Sequence, residues 1–152
     1  MNRSPATTAG PVSATESDGS DPVMSSLLDA AHALEARLEH QLAAVGLSMS
    51  KLGVLTQLVE AGVPLPLSAL ATRLCCVRSN ITQLVDRLEA DGLVRRVDDA
   101  VDRRSVLAQV TELGAQRQRA GAAELAKIRE QFAQSLPASD RAVLGRILAA
   151  LG

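Results

Sequence analysis

The sequence predicts a mainly α-helical fold carrying a small β-wing, and three observations in residues 67 to 111 predict it. Leu67, Leu70, Ala71 and Leu74 fall at helical spacing, and Ile81, Leu84, Val85 and Leu88 repeat that spacing a few residues later. Each set gathers into one apolar stripe on a helix of 3.6 residues per turn, and Ala71 is small enough to let the two helices cross closely. After Gly92 the pattern changes: Leu93 to Val97 and Val106 to Val110 are short runs of aliphatic, largely β-branched residues with polar side chains among them, and they read as strands covered on one face. The polar stretch Asp98 to Ser105 joins them as a hairpin tip. Helix, turn, helix, strand, tip, strand is the order of a winged helix-turn-helix.

The remaining elements follow in chain order. Residues 1 to 22 are a Ser, Thr, Ala, Pro, Gly and Asp mixture without apolar period, expected to be a disordered tail and lacking the apolar stretch of a signal peptide. From Val23 to Val45, the residues Leu27, Ala31, Leu34, Leu38, Leu42 and Val45 mark a long amphipathic helix that Gly46 stops. Ser48 or Ser50 can cap a second helix with Leu52, Leu55, Leu58 and Val59 inward, ending at Gly62, and the VPLP segment then requires an extended link. Thr111 caps a long helix lined by Leu125, Ile128 and Phe132, and Pro137 opens a last one with Val143, Leu144, Ile147, Leu148 and Leu151. At 152 residues and 47% hydrophobic content, residues 23 to 152 fit one domain.

Composition narrows the function. Phe132 is the only aromatic residue, so Leu, Val and Ala fill the core and base stacking as in single-strand or RNA binders is excluded. The net charge of −1 speaks against nucleic acid, but residues 1 to 22 hold Arg3 against Glu16, Asp18 and Asp21. The rest of the chain therefore carries 15 of the 16 basic and 14 of the 17 acidic residues, a net of +1, and the distribution of charge decides what the total does not. No run approaches the ~18 apolar residues of a membrane span, so a cytoplasmic protein with no membrane partner is expected.

On the second helix of the motif, the side chains left outside the apolar stripe are Ser79, Asn80, Thr82, Gln83, Asp86 and Arg87. Short or fork-ended hydrogen-bonding groups of this kind match base-pair edges in a major groove, and double-stranded DNA is the partner they imply. Arg73, Arg78 and Arg87 suit phosphate contacts, and Arg103 and Arg104 at the hairpin tip suit a minor groove. Asp98, Asp99 and Asp102 have the wrong sign there, so Asp102 is expected to hold an arginine in place as the support of the wing.

These residues resemble the MarR transcriptional regulators (multiple antibiotic resistance regulators). The match lies in Leu70-Ala71, Thr82, Leu84 to Glu89, Gly92-Leu93-Val94, Arg96, Asp102-Arg103-Arg104 and Thr111 to Gly114, and spans roughly residues 23 to 152. The resemblance implies a homodimer on a near-palindromic operator, usually a repressor, with residues 23–46 and 112–152 as dimerisation helices around a DNA-binding region at 47–111. It also implies a small-molecule effector between the two; a monomeric six-helix packing is the alternative. The chain departs from the family pattern where Cys75, Cys76 and Val77 replace a common Gly-Val-Ser, placing a Cβ at the glycine position and removing the N-cap hydroxyl, which Ser79 is then expected to supply. Val110 in place of Leu is a mild departure.

Cys75-Cys76 has two readings: small apolar side chains filling a tight turn, or a thiol sensor of oxidants or thiophilic metals and metalloids. His32 and His40 lie too far apart on the first helix to share an ion, although Glu35 and Glu39 are near enough to suggest a site that another segment completes; two partly exposed histidines are the plain reading. No cofactor is implied. An enzyme is excluded by the lack of a Gly-rich phosphate loop, zinc spacing, a Gly-x-Ser-x-Gly element or a Cys-x-x-Cys pair. A helical protein-interaction module is the third class, and it leaves the wing arginines unexplained.

Overall fold

The computed structural model describes residues 21–99 and 106–151, in the order α1 (Pro22–Ala43), α2 (Met49–Ala61), β1 (Leu65–Pro66), α3 (Leu67–Arg73), α4 (Arg78–Ala90), β2 (Val94–Asp98), β3 (Val106–Val110), α5 (Glu112–Ser135) and α6 (Ala138–Leu151). The expected tail lies outside the described residues up to residue 20. The chain divides into two compact units, residues 1–33 and 34–152. In the first, Val23, Met24, Leu27 and Leu28 on α1 are all exposed.

In the second unit α1 ends as its sequence requires. Gly46 adopts φ 72, its N–H bonds to the Ala43 carbonyl and that of Leu47 to Leu42, both at 3.0 Å, which closes a Schellman motif. The apolar stripe of α1 is buried at Leu42, and Leu38 is only half-buried. Ser48, not Ser50, caps α2, its hydroxyl accepting from the Lys51 N–H at 3.2 Å. Leu52, Val54, Leu55 and Leu58 are buried, whereas Val59 is exposed, against expectation. Because α2 packs on both α4 and α5, its buried arc is wider than one stripe and takes in Val54.

The extended VPLP link turns out to be an edge strand. Leu65 pairs with Ala108 and Pro66 with Leu107, so β1 adds to the hairpin in the order β1-β3-β2. An edge strand is where a residue without an N–H can be placed. β2 and β3 pair antiparallel from Val94↔Val110 to Asp98↔Val106. The core runs from Leu42 through Leu55 and Leu58 to Leu70, Ile81, Val85, Leu88, Val94 and Ala108.

Thr111 caps α5, accepting from the Gly114 N–H at 3.0 Å, while its own hydroxyl reaches the Gly92 carbonyl at 2.8 Å. Gly114 is buried against Leu93, where a Cβ would stand 2.0 Å from the Leu93 carbonyl oxygen, so the close approach requires glycine. Along α5, Ile128 is buried, Leu125 packs on the core and Phe132 is exposed. On α6 no residue is buried, and Val143, Ile147, Leu148 and Leu151 are exposed.

Candidate nucleic-acid interface

The site begins at the turn between α3 and α4. Leu74 N–H bonds to the Leu70 carbonyl, Cys75 to Thr72 at 3.2 Å and Cys76 to Ala71 at 2.9 Å, a second Schellman motif with Cys75 at its left-handed position, φ 51. A Cβ-bearing residue in that conformation costs about 1–2 kcal/mol, which is why glycine is common there. Both cysteines are exposed free thiols, so the reading of them as buried space-fillers is corrected: the turn closes through its backbone, and the sulfurs are left on the surface. The Cys76 thiol donates to the Leu74 carbonyl at 3.2 Å.

The expectation that Ser79 caps α4 is also corrected. The cap position is Val77, at φ −71 and ψ 146, and it makes no side-chain bond. Ser79 is already inside the first turn, whereas a capping oxygen must come from the extended residue before it.

From that start α4 separates its faces. Ile81, Val85 and Leu88 are fully buried and Leu84 packs against the core, while Arg78, Ser79, Asn80, Gln83 and Arg87 are all exposed. Thr82 is half-buried, and its hydroxyl donates to the Arg78 carbonyl at 3.1 Å, which commits its hydrogen to its own helix. Arg73 is exposed at the end of α3.

Asp86, on the same outward side, is turned toward the wing. The Arg96 guanidinium on β2 donates to both Asp86 and Glu89, and the Arg96 backbone N–H reaches Glu89 Oε1 at 3.0 Å. The hydrogen bond to Asp86 above all, with that to Glu89, raises the Arg96 pKa against the opposing effect of burial. This bracket ties α4 to β2, and the strand periodicity does not disclose it. Carboxylates three apart on one helix edge, followed by an arginine inside the next strand, are the signal that could have found it.

Within the sheet, Arg95 Nε donates to Gln109 across the hairpin at 2.9 Å. Asp102, Arg103 and Arg104, assigned to the wing tip from sequence, lie outside the described residues. His32 and His40 are exposed on α1, and among the described residues no three His, Cys, Asp or Glu side chains gather as a metal site. Nor, among these residues, is any helix long and apolar enough to cross a membrane.

Two cavities flank the motif. One, of about 420 Å³, lies between α2, the turn and α4, with Met49, Leu74, Cys76, Asn80 and Leu84 in its wall. Another, of about 230 Å³, is lined by Leu34, Leu38, Met49, Leu125, Ile128, Arg129 and Phe132, from the C-terminal part of α1, the start of α2 and α5.

Comparison with known proteins agrees with this geometry. The model of the MarR family matches residues 47–106. AbsC, a MarR family transcriptional regulator from Streptomyces coelicolor, is 30% identical with a TM-score of 0.71, the match covering 85% of this chain and 88% of that one. Sco3205, a MarR family transcriptional regulator of the same organism whose crystal structure is a complex with DNA, is also 30% identical, with a TM-score of 0.71 and coverage of 85% and 82%. YkoM, an uncharacterized HTH-type transcriptional regulator of Bacillus subtilis (strain 168), is 34% identical over 83 residues, 55% of this chain and 50% of that protein. The chain spans half or less of the length of the curated relatives it matches.

Proposed function

The chain belongs to the MarR family of transcriptional regulators, and on that premise we propose that it is a homodimeric, ligand-responsive repressor acting on a near-palindromic operator in the cytoplasm. The family regulates transcription and is not one of enzymes. The observation that carries the proposal is α4 itself: a fully buried stripe of Ile81, Val85 and Leu88 behind an exposed face of Arg78, Ser79, Asn80, Gln83 and Arg87. Such a helix has the shape and the donor and acceptor set for a major groove, and Sco3205 is a relative crystallised on DNA.

Gln83, near the centre of the face, reads adenine with its paired donor and acceptor, with Asn80 and Ser79 beside it and Thr82 offering only its lone pairs. Arg78 and Arg87 contact phosphate and set the register. Arg103 and Arg104 enter the flanking minor groove, with Asp102 orienting one of them, and the Arg96 bracket carries the wing at a fixed angle to α4.

Exposure of Val143, Ile147, Leu148 and Leu151 on an α6 with no buried residue supports a second copy as its cover. The largely apolar cavity at Leu38, Leu125, Ile128 and Phe132, with Arg129 in its wall, suits a small-molecule effector, since a molecule seated there touches both a dimerisation helix and the start of α2. The experiment is selection of duplexes from a random pool, followed by sedimentation of the complex. Two chains per selected duplex and a two-fold repeat in its sequence are expected; the absence of any enriched sequence would refute the reading.

A further inference from the structure

We propose that Cys75 and Cys76 form a binding site for a soft trivalent metalloid, an arsenic(III) centre held by both sulfurs, whose occupancy releases DNA; the second half of this rests on the reading above. Three observations carry it. Both thiols are free and exposed, so their sulfurs do no packing work and can be reached. They are adjacent at the C-terminal turn of α3, with Cys75 in a left-handed conformation that a glycine would adopt without its cost. Cys76 also lines the cavity of about 420 Å³ between α2 and α4, whose wall includes Met49.

The pair is poorly suited to close on itself. Neighbouring Cα atoms stand ~3.8 Å apart across a trans peptide, below the ~4.4 Å that an unstrained disulfide needs. An atom inserted between the sulfurs removes that constraint, because they can then stand farther apart than the ~2.04 Å of an S–S bond. The step is a condensation. With phenylarsine oxide, the two As–O bonding pairs are replaced by two As–S bonds, both thiol protons leave with the oxygen as one water, and arsenic remains trivalent, so neither oxidant nor reductant is consumed.

The consequence for DNA follows from position. Binding removes the thiol proton that Cys76 donates to the Leu74 carbonyl and ties together the last two residues before Val77, the cap of α4. It also sets the organic group of the arsenical beside Arg78, Ser79 and Asn80, which are exposed on the proposed reading face.

The test adds phenylarsine oxide to the full chain and to two single variants expected to keep the turn. Cys75→Gly suits the left-handed backbone, and Cys76→Ser keeps a donor for the Leu74 carbonyl. Intact mass, thiol titration and binding to a duplex selected from a random pool are then read. The wild type should take up one phenylarsenic group per chain at one equivalent, lose both titratable thiols, recover them with 2,3-dimercaptopropanol, and bind the duplex at least about tenfold more weakly, ~1.4 kcal/mol, while loaded. Each single variant should lose the tight uptake and keep its DNA affinity in the reagent. Equal uptake by wild type and single variants, or none by the wild type, would overturn the two-sulfur site even with DNA binding intact. Full uptake with unchanged DNA affinity would overturn the coupling. A chain that binds no duplex in any form would sink the regulator reading instead, and uptake by the three proteins would still decide the site.

Discussion

Replacing Arg96 by Met removes the guanidinium that brackets the recognition helix to the wing while keeping the length and apolar stem of the side chain. The lost contacts are the ion pairs to Asp86 and Glu89. The Arg96 side chain is 28% exposed, against 56% for Asp86 and 39% for Glu89, so water screens both pairs and each contributes about 0.2–1 kcal/mol. Losing both should cost about 0.4–2 kcal/mol and lower the urea midpoint with an unchanged slope. DNA affinity should fall about tenfold, ~1.4 kcal/mol, because wing and recognition helix no longer hold a common angle. Combining Arg96→Met with Asp86→Asn should cost less than the sum of the two alone. An unchanged midpoint together with unchanged affinity would refute the bracket.

The other expectations can be tested with single changes. Gly114→Ala puts a Cβ within 2.0 Å of the Leu93 carbonyl oxygen, so urea unfolding should show a loss of at least about 1–3 kcal/mol as α5 is pushed from the sheet; full stability would mean that the close approach is misplaced. Gln83→Ala should weaken the selected duplex by about 1–3 kcal/mol and random DNA hardly at all; equal losses on both would make Gln83 a phosphate contact. Arg104→Ala should weaken both and flatten the salt dependence, and unchanged binding at moderate salt would remove the wing tip from the interface. Removing residues 137–152 should abolish the proposed dimer or cause aggregation, since the apolar surface that α6 would meet in a second copy is left bare; a folded, soluble dimer of the shortened chain would contradict that interface.

Features controlled by neighbouring residues could be read from the sequence. Gly46 as a stop, Thr111 as a cap and the stripe Ile81, Val85, Leu88 each depend on a few adjacent positions, and all appear where the spacing puts them. What escaped was set by distant partners. β1 exists because β3, some forty residues later, offers Leu65 and Pro66 an edge. Val54 is inside and Val59 outside because α2 is packed by α3, α4, α5 and β3 rather than by one neighbour. Asp86 sits on the outward face by periodicity, yet a strand residue claims its carboxylate. The start of α4 follows a different rule: its cap is Val77, which has no side-chain oxygen, so the hydroxyl at Ser79 does not mark it.

The central claim is that two copies of this chain neutralise the phosphates of one duplex, and its most direct measurement is the affinity for a selected duplex as a function of salt, with the stoichiometry fixed by sedimentation. Arg78 and Arg87, with the wing arginines Arg103 and Arg104, offer two to four phosphate contacts per chain, so a dimer should give a slope of log affinity against log salt of about −4 to −7. That slope is expected at two chains per duplex. A slope near zero, or one chain per duplex at saturation, would contradict it.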